Sequence, residues 1–294
     1  RRPMTDGRLV LVFDDGYAED YERVAPVLRE ADAPACFAVV PGWLGDEGHL
    51  TESRLAELVD AGCEVAAHGV RHRRLQATHL AADAAAGDAR AVVDGPVFPD
   101  DDHGVVVGDE YELTDGSRRE RRELVDKGET DDAQYVAFDR PLESAFAAGE
   151  AVLRPSEATL RDEVVGAGED LRALGFDPRT FVFPYDAADP RAWSLAAERY
   201  DAVANAAVRS LPNSPGTAPT DLRRYYLETT HLTEVEVAEY LDAVAARGGL
   251  GILAGHSAWD SVPPERVARV VELARERGVA VTTFREAFEA GGGR

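Results

Sequence analysis

The chain has 294 residues, and its 32 Lys and Arg against 55 Asp and Glu give a formal net charge of −23. Nucleic acids and anionic membranes both need a basic face that neutralises phosphates, so both are disfavoured as partners. A hydrophobic share of 45% predicts a folded globular protein, and no apolar stretch approaches the 18 residues of a membrane span, which predicts no membrane insertion.

Almost all of the basic residues are arginine. Lys127 is the single lysine, and the other 31 basic residues are arginine. This composition, with its acidic excess, resembles that of proteins from salt-loving archaea. Molar salt shortens the Debye length to roughly 3 Å and would screen the self-repulsion of the chain. We predict that the protein loses its fold at low salt; a melting temperature that is the same in about 0.1 M and about 3 M KCl would contradict this.

Two features bear on the cellular compartment. No apolar signal region precedes the first strand, which predicts a cytoplasmic protein, or an extracellular or cell-surface one if a leader has been trimmed before Arg1. Cys36 and Cys63 each lie in an apolar run. We therefore predict two small buried side chains rather than a disulfide.

Strand and helix signals alternate at both ends of the chain. The apolar run over 8–13 predicts a strand that ends at Asp14-Asp15-Gly16, and apolar residues at helical spacing predict a helix over 17–31. In the first part of the chain the same patterns then predict a strand over 35–40, a helix over 51–61, a strand over 63–67 and a helix after Leu75. In the last part they predict helices over 156–174, 190–200, from Thr233 and over 264–277, alternating with strands over 180–183, 202–205, 225–227, 250–254 and 279–283, before a short final helix.

About seven strand and helix units in one chain predict an α/β fold with a parallel barrel rather than an open sheet. In such a barrel the loops after the strands carry the chemistry. Asp14-Asp15, His68 and His256 each follow an apolar strand, and Pro184-Tyr185 follows another. We therefore expect these residues to meet at one mouth of the barrel.

The stretch over 88–155 departs from this alternation. Strand-like runs over 104–113, 134–138 and 151–153, with a hairpin signal at Asp115-Gly116, predict a small β-rich insertion, so that 1–87 and 156–294 form the barrel. A disordered charged loop is the alternative, because the stretch contains acidic runs. A lid, a dimerisation element and an inert decoration are all open as the role of the insertion.

Three groups of residues have the chemistry of a hydrolytic metal site. Adjacent carboxylates such as Asp14 and Asp15 can have different roles, because one can bind a cation while the other stays free to accept a proton. His68 and His72 have the i, i+4 spacing with which two imidazoles hold a divalent metal. His256 has no sequence neighbour that would satisfy it in a core. Each group also has a structural alternative: a turn with a helix cap, two surface histidines, and a buried histidine.

Taken in order, four motifs resemble those of the polysaccharide deacetylases, carbohydrate esterase family 4, whose unit is the NodB-homology domain. The motifs are Phe13-Asp14-Asp15-Gly16, His68-x3-His72, Phe183-Pro184-Tyr185 and Leu253-Ala254-Gly255-His256. The resemblance covers residues 8–86 and 156–288. It implies a distorted seven-stranded (β/α) barrel and hydrolysis of an acetamido or acetyl ester group on a sugar.

The resemblance implies a role for each matching residue. Asp15, His68 and His72 would bind the metal, Asp14 would be the base, and His256 would be the acid. The implied cofactor is one divalent ion, zinc in the first place, although cobalt, nickel and iron also tolerate one carboxylate and two imidazoles.

The chain departs from the family pattern in its third motif. Val182 stands where the family has an arginine that steadies the catalytic aspartate, and Arg223 or Arg224 is the candidate replacement. Asp186 stands where the family has glycine, which adds a carboxylate near the predicted site.

The residues that line the substrate groove are also altered. The family's Asp-Trp motif has only a weak counterpart at Trp193, so Trp259, three residues after His256, is the better candidate to stack on a sugar. We predict Tyr185, Trp259 and Arg224 as substrate-binding residues, and an acetylated carbohydrate as the partner.

The sequence thus predicts a metal-dependent hydrolase that removes acetyl groups from an N-acetylated or O-acetylated polysaccharide or oligosaccharide. One alternative is an allantoinase-like C–N amidohydrolase of the same fold without a tightly bound metal, which the loss of the arginine at Val182 keeps open. The other is a catalytically silent glycan-binding protein. Measuring the metal content distinguishes the predicted hydrolase from the first alternative, and measuring acetate release distinguishes it from the second.

Overall fold

The computed structural model describes residues 7–130, 133–205 and 210–289. The chain packs into two compact units. Unit 1 contains the residues up to Val70, Ala167–Val182 and the residues from Ala196 onward. Unit 2 contains Arg71–Gly166 and Phe183–Leu195, and therefore includes the whole of the predicted insertion.

Unit 1 is built on a parallel sheet that has nine strands in the described part of the chain. The strands follow one another across the sheet in the order β12, β11, β10, β3, β2, β1, β14 and β13, and β15 pairs with β1 beside this path. Their bounds are β1 Arg8–Asp15, β2 Cys36–Val39, β3 Glu64–Ala67, β10 Thr180–Val182, β11 Ala202–Asn205, β12 Leu222–Arg223, β13 Tyr225–Tyr226, β14 Leu250–Gly255 and β15 Ala280–Val281.

The two end strands of this sheet, β12 and β13, are separated in the chain by Arg224 alone. The sheet is therefore nearly closed, with Arg224 at the seam. The predicted α/β fold with a distorted parallel barrel is confirmed.

Side-chain alternation in the barrel strands places the polar residues that follow them. Alternate residues of a strand point to opposite faces, and Val10 and Val12 of β1 belong to the apolar cluster that fills the barrel. Asp14 is the next position in that row. On β3 and β14 the same rule makes His68 and His256 the next positions after the last core residue. The core rows therefore continue into polar side chains at the carboxyl ends of three strands.

The helices have recognisable ends. Helix α6 begins with a capping box formed by Thr233 and Glu236 and ends at Gly248, which is left-handed. The helix predicted over 17–31 contains a π-turn over Asp20–Val24, and a second π-turn covers Asp162–Gly166. The helix bounds are α1 Ala25–Glu30, α2 Glu52–Asp60, α3 Glu157–Arg161, α4 Ala167–Ala173, α5 Pro190–Arg199, α6 Glu234–Arg247, α7 Pro264–Glu276 and α8 Phe284–Glu289.

Unit 2 has its own antiparallel sheet of six strands among the described residues, in the order β4, β9, β6, β7, β8, β5. Its core is a separate apolar cluster that includes Leu80, Tyr111, Leu124, Val136 and Phe146. The strand bounds are β4 Thr78–His79, β5 Arg90–Val93, β6 Glu110–Thr114, β7 Arg119–Glu129, β8 Gln134–Phe138 and β9 Val152–Pro155.

The helix predicted after Leu75 is wrong. Strands β4 and β5 stand on either side of the alanine-rich residues 81–86 and pair with β9 and β8, and the alanines are held to the sheet by an antiparallel bridge between Ala84 and Phe146. A left-handed turn at Gly87, with φ of 99°, interrupts the stretch, and sheet pairing overrides the helical preference of alanine.

Both cysteines are free. Cys36 is buried as predicted, whereas Cys63 is only partly buried. In the residues that the structure covers, none of the helices has the length and hydrophobicity needed to cross a bilayer.

Candidate active site

The innermost group of the candidate site is a buried ion pair. Arg224 Nη1 donates a hydrogen bond of 2.8 Å to Asp14 Oδ1, and both side chains are almost completely buried. Burial alone would raise the pKa of Asp14, but the Arg224 guanidinium and the nearby His68 and His256 more than offset it and hold that pKa below its usual value. Asp14 is therefore a carboxylate at neutral pH. Of the two predicted replacements for the arginine absent at Val182, Arg224 is the one that contacts Asp14.

His68 and Asp15 form a second buried contact. The Nδ1 atom of His68 lies 2.8 Å from the Val182 carbonyl oxygen, so this nitrogen carries the proton and donates it. The Nε2 atom faces Asp15 Oδ1 at 3.3 Å. The main-chain carbonyl of Val182 therefore orients the imidazole.

His72 completes a group of potential metal ligands. One ligand atom from each of Asp15, His68 and His72 lies within 4.8 Å of the others, and all three residues are buried. The backbone of His72 is left-handed, with φ of 60°. The fully buried Glu163 accepts hydrogen bonds from the main-chain N–H groups of Arg71 and Arg73, at 3.1 and 3.4 Å, and so fixes the turn that carries His72.

His256 faces the other carboxylate oxygen of Asp15 and has a carboxylate partner of its own. Its Nε2 is 3.8 Å from Asp15 Oδ2, and its Nδ1 is 3.2 Å from Glu228 Oε1. Burial lowers the pKa of His256, but Glu228 and Asp14 outweigh it, so the pKa lies above the usual 6.5. A Cβ at Gly255 would come within 3.2 Å of Glu228 Oε1, so glycine leaves room for this carboxylate.

The Glu228→Gln variant tests this pairing. We expect kcat/KM to fall about tenfold, because a hydrogen bond to a charged group is worth roughly 1.5–3 kcal/mol. The loss of the negative charge also lowers the pKa of His256. The predicted role of His256 as the acid requires a protonated imidazole, so in that role the alkaline limb of the kcat/KM profile moves to lower pH.

The matched control is Glu234→Gln, which changes a half-exposed glutamate on α6 that pairs with Arg269. It should leave the profile unchanged. An alkaline limb that stays in place in Glu228→Gln would show that Glu228 does not act on His256.

The predicted substrate-binding residues occupy distinct places. Trp259 stacks on His256 with 3.8 Å between ring centroids and is 45% exposed. The backbone of Tyr185 is left-handed, with φ of 57°, and the centroid of its ring lies 4.6 Å from that of the His72 ring. Arg224 instead binds Asp14, while Trp193 packs on Phe183.

Sequence reasoning missed Glu228, Glu163 and Asp20. Glu228 follows the short strand β13, so the rule that polar residues after strands form the site could have found it. Glu163 and Asp20 lie in the two π-turns, a feature often found at functional sites, which no sequence pattern announced. Asp20 is fully buried, and burial raises its pKa well above the usual value, with only partial relief from Ser257.

Comparisons with known proteins show which proteins this chain resembles. Residues 1–88 match the family model for polysaccharide deacetylase. A stretch of 67 residues is 30% identical to the putative polysaccharide deacetylase YxkH of Bacillus subtilis strain 168, and it spans 23% of this chain and 24% of that protein. The chain thus matches about a quarter of the length of this curated relative.

Solved structures agree on the fold. A T48 deacetylase superposes with a TM-score of 0.52 at 16% identity, over 97% of this chain and 92% of that one. A pseudoenzyme of carbohydrate esterase family 4 from Bacillus anthracis superposes with a TM-score of 0.51 at 11% identity, over 96% and 66% of the two chains. The predicted resemblance to the polysaccharide deacetylases, and with it their barrel fold, is confirmed.

Proposed function

We propose that this protein is a metal-dependent deacetylase that hydrolyses acetyl groups on an N-acetylated or O-acetylated polysaccharide or oligosaccharide. The observation that carries the proposal is one cluster of titratable side chains, in which Asp14, Asp15, His68 and His72 are buried and His256 is partly buried. Asp14 pairs with Arg224, His256 pairs with Glu228, and the other three form the possible metal-ligand group. A protein that only bound glycans would not need these titratable groups gathered in one place.

A divalent ion fits the donors that are present. Asp15 supplies a carboxylate oxygen, and His68 and His72 supply imidazole nitrogens, a set that suits zinc and leaves coordination positions open. Metal-binding histidines usually donate their second N–H to a carbonyl or carboxylate, as His68 does to Val182. When bound, the ion would polarise the acetyl carbonyl and acidify the attacking water.

Asp14 has the properties of the general base. Its pKa is held low, so it is ready to accept the proton that the attacking water loses as the water oxygen bonds to the carbonyl carbon. Arg224 orients the carboxylate and stabilises its charge in a site from which solvent is largely excluded. The tetrahedral oxyanion also needs donors, and the main-chain N–H of Tyr185 is the candidate.

His256 has the properties of the general acid. Its raised pKa favours the protonated imidazole, which can give a proton to the sugar nitrogen or oxygen as the bond to the acetyl carbon breaks. Glu228 holds the ring by its Nδ1, which leaves Nε2 to deliver the proton. Acetate and the free amino or hydroxyl sugar are then the products.

Aromatic rings in unit 1 support a carbohydrate as substrate. Trp259 offers a half-exposed ring face beside His256. Just after the two aspartates, Tyr17 stacks on His49 at 5.4 Å, and Trp43 lies 5.0 Å from the same histidine. Such apolar faces with polar edges suit the C–H face and the hydroxyls of a pyranose ring.

Acetate release is the direct test. The protein, purified in molar KCl and loaded with zinc, is incubated with N-acetylglucosamine oligomers and with an O-acetylated xylan, and acetate is measured enzymatically. The proposal expects release that stops when a chelator removes the metal and resumes when zinc is added back. No release from any acetylated glycan by the zinc-loaded protein would contradict it.

The two alternatives give different results in the same experiment. A metal-free amidohydrolase would contain no tightly bound ion and would be insensitive to the chelator. A silent glycan-binding protein would bind the oligosaccharides without releasing acetate, and the similar fold of a pseudoenzyme makes this the alternative to exclude first.

A further inference from the structure

Three aromatic rings of unit 2 form a continuous stack, which we call the ring stack. His72 lies 4.6 Å from Tyr185, and Tyr185 lies 4.7 Å from Phe98, measured between ring centroids. The stack joins a predicted metal ligand to a residue of the β-rich insertion. His72 follows β3 and Tyr185 follows β10, whereas Phe98 belongs to the loop after β5.

All three members of the ring stack have a backbone that L-residues rarely adopt. The φ angles are 60° for His72, 50° for Phe98 and 57° for Tyr185. Side chains larger than glycine lose roughly 1–3 kcal/mol in such conformations, which persist only where surrounding contacts enforce them. Three neighbouring rings on such backbones therefore require a strong external support.

The support comes from the loop over 98–104, which several hydrogen bonds fasten. The Tyr185 hydroxyl donates a hydrogen bond of 2.5 Å to Asp101 Oδ2, while the main-chain N–H of His103 donates to the other oxygen of Asp101. From strand β7, the ammonium group of Lys127, the single lysine of the chain, donates to the carbonyl oxygens of Phe98 and Asp101.

Gly104 closes this arrangement. A Cβ at that position would lie 2.8 Å from the Phe98 ring and 3.1 Å from the Tyr185 ring, so glycine lets the loop pass close to both. The Gly104 carbonyl in turn accepts the main-chain N–H of Arg74, two residues after His72.

We propose that Asp101 and Lys127 are positioning residues of the active site, which act through the loop 98–104 to hold the Tyr185 ring against His72. The β-rich insertion then has a definite role, because it supplies one support of the metal-binding histidine and of the backbone at Tyr185. This inference rests on the proposed function for its catalytic readout, although its effect on His72 is independent of turnover.

The test uses Asp101→Ala and Tyr185→Phe, singly and combined, in the 294-residue chain at molar KCl. Zinc affinity is measured by competition with a chromophoric chelator, and kcat and KM are measured by acetate release. We expect each single variant to bind zinc roughly tenfold more weakly, as is typical when the outer partner of a ligand is removed. Because the two side chains share one hydrogen bond, the double variant should be no weaker than the singles.

Variants of Lys127 test the same loop in a second way. Lys127→Met should weaken zinc binding in the same way, and Lys127→Arg, which keeps a cation with several donors, should restore most of it. The matched control is Asp115→Ala, in the hairpin between β6 and β7, where Asp115 accepts main-chain N–H groups of Ser117 and Arg118. It should lower the melting temperature without changing zinc affinity.

The outcomes separate this inference from the proposed function. If the wild-type protein binds zinc but releases no acetate, the proposed function is contradicted. The zinc affinities of the variants then still test the positioning role of Asp101 and Lys127. Wild-type zinc affinity in Asp101→Ala and Lys127→Met, or additive losses in the double variant, overturns the inference even if the enzyme is active. Should Asp101→Ala fail to fold, Tyr185→Phe removes the same hydrogen bond and decides alone.

Discussion

Asp14→Asn should lower kcat by a factor of roughly 10²–10⁴ and leave zinc binding unchanged. The amide has nearly the shape of the carboxylate and keeps an oxygen for Arg224, but it cannot accept a proton from water. Asp14 is also outside the group of possible metal ligands, which consists of Asp15, His68 and His72. The kinetic loss should therefore appear without a loss of metal, as measured by acetate release and by metal analysis of the same samples.

The control for this variant is Asp242→Asn, at an exposed aspartate on α6 that pairs with Arg277. It changes the same functional group on the surface and should keep wild-type turnover. Wild-type kcat in Asp14→Asn would refute the assignment of Asp14 as the base, and a loss of zinc in that variant would move Asp14 into the ligand set.

Arg224→Met should have the largest effect on stability. It leaves the buried Asp14 carboxylate without its guanidinium partner, and removing one member of a buried ion pair costs about 3–5 kcal/mol. In the wild type the folded-state pKa of Asp14 is lowered, so the pair contributes stability above pH 3.8 that is lost as the pH falls through the folded-state pKa. The deficit of the variant should accordingly shrink in acid, as measured by denaturant unfolding across pH.

The same variant should change the pH profile of activity. Without Arg224 the pKa of Asp14 rises, so the acid limb of kcat/KM moves to higher pH. The double variant Asp14→Asn/Arg224→Met removes the unpaired charge and should regain much of the stability but none of the activity. If Arg224→Met alone matched the wild type in unfolding free energy and in its acid limb, the ion pair would have no part in the mechanism.

Much of the barrel and of its mouth could be predicted from the sequence, because strand alternation is a local property. The row of Val10 and Val12 leads to Asp14, and the corresponding rows of β3 and β14 lead to His68 and His256. A reader of the sequence sees both the apolar run and the polar residue that ends it, and needs only the rule that the carboxyl ends of parallel strands lie together.

The partners of these residues could not be predicted in the same way. Arg224 is 210 positions from Asp14, and the carbonyl of Val182 is 114 positions from His68. No local pattern links such pairs. Arg224 was a candidate only because the expected arginine was absent, and Glu228 was overlooked because its strand β13 has two residues and gives almost no periodic signal.

The strands of the insertion are harder still to predict, because its longest strand lacks a clear apolar alternation. Strand β7, Arg119–Glu129, alternates buried and exposed residues, but two of its inward positions are Glu120 and Arg122, which pair with each other. Charged residues at inward positions remove the apolar alternation that indicates a strand. The alanine-rich residues 81–86 favour a helix by composition, but the chain on both sides of them pairs in the sheet, and helical preference is weak against that pairing.

The proposed roles of the β-rich insertion can be weighed against its contacts. Within unit 2 the loop over 98–104 reaches Tyr185 through both Phe98 and Asp101. These contacts favour a part in the site over an inert decoration. Whether the insertion also selects the substrate is open to deletion experiments that measure turnover and oligomeric mass together.

The most direct test of the account is the metal content of the protein purified in molar KCl, compared between the wild type and His68→Ala. The account predicts about one divalent ion per chain in the wild type and its loss in the variant, because His68 is one of three ligands in the proposed site. If neither protein holds metal, even after incubation with zinc or cobalt, the metal-dependent deacetylase is contradicted.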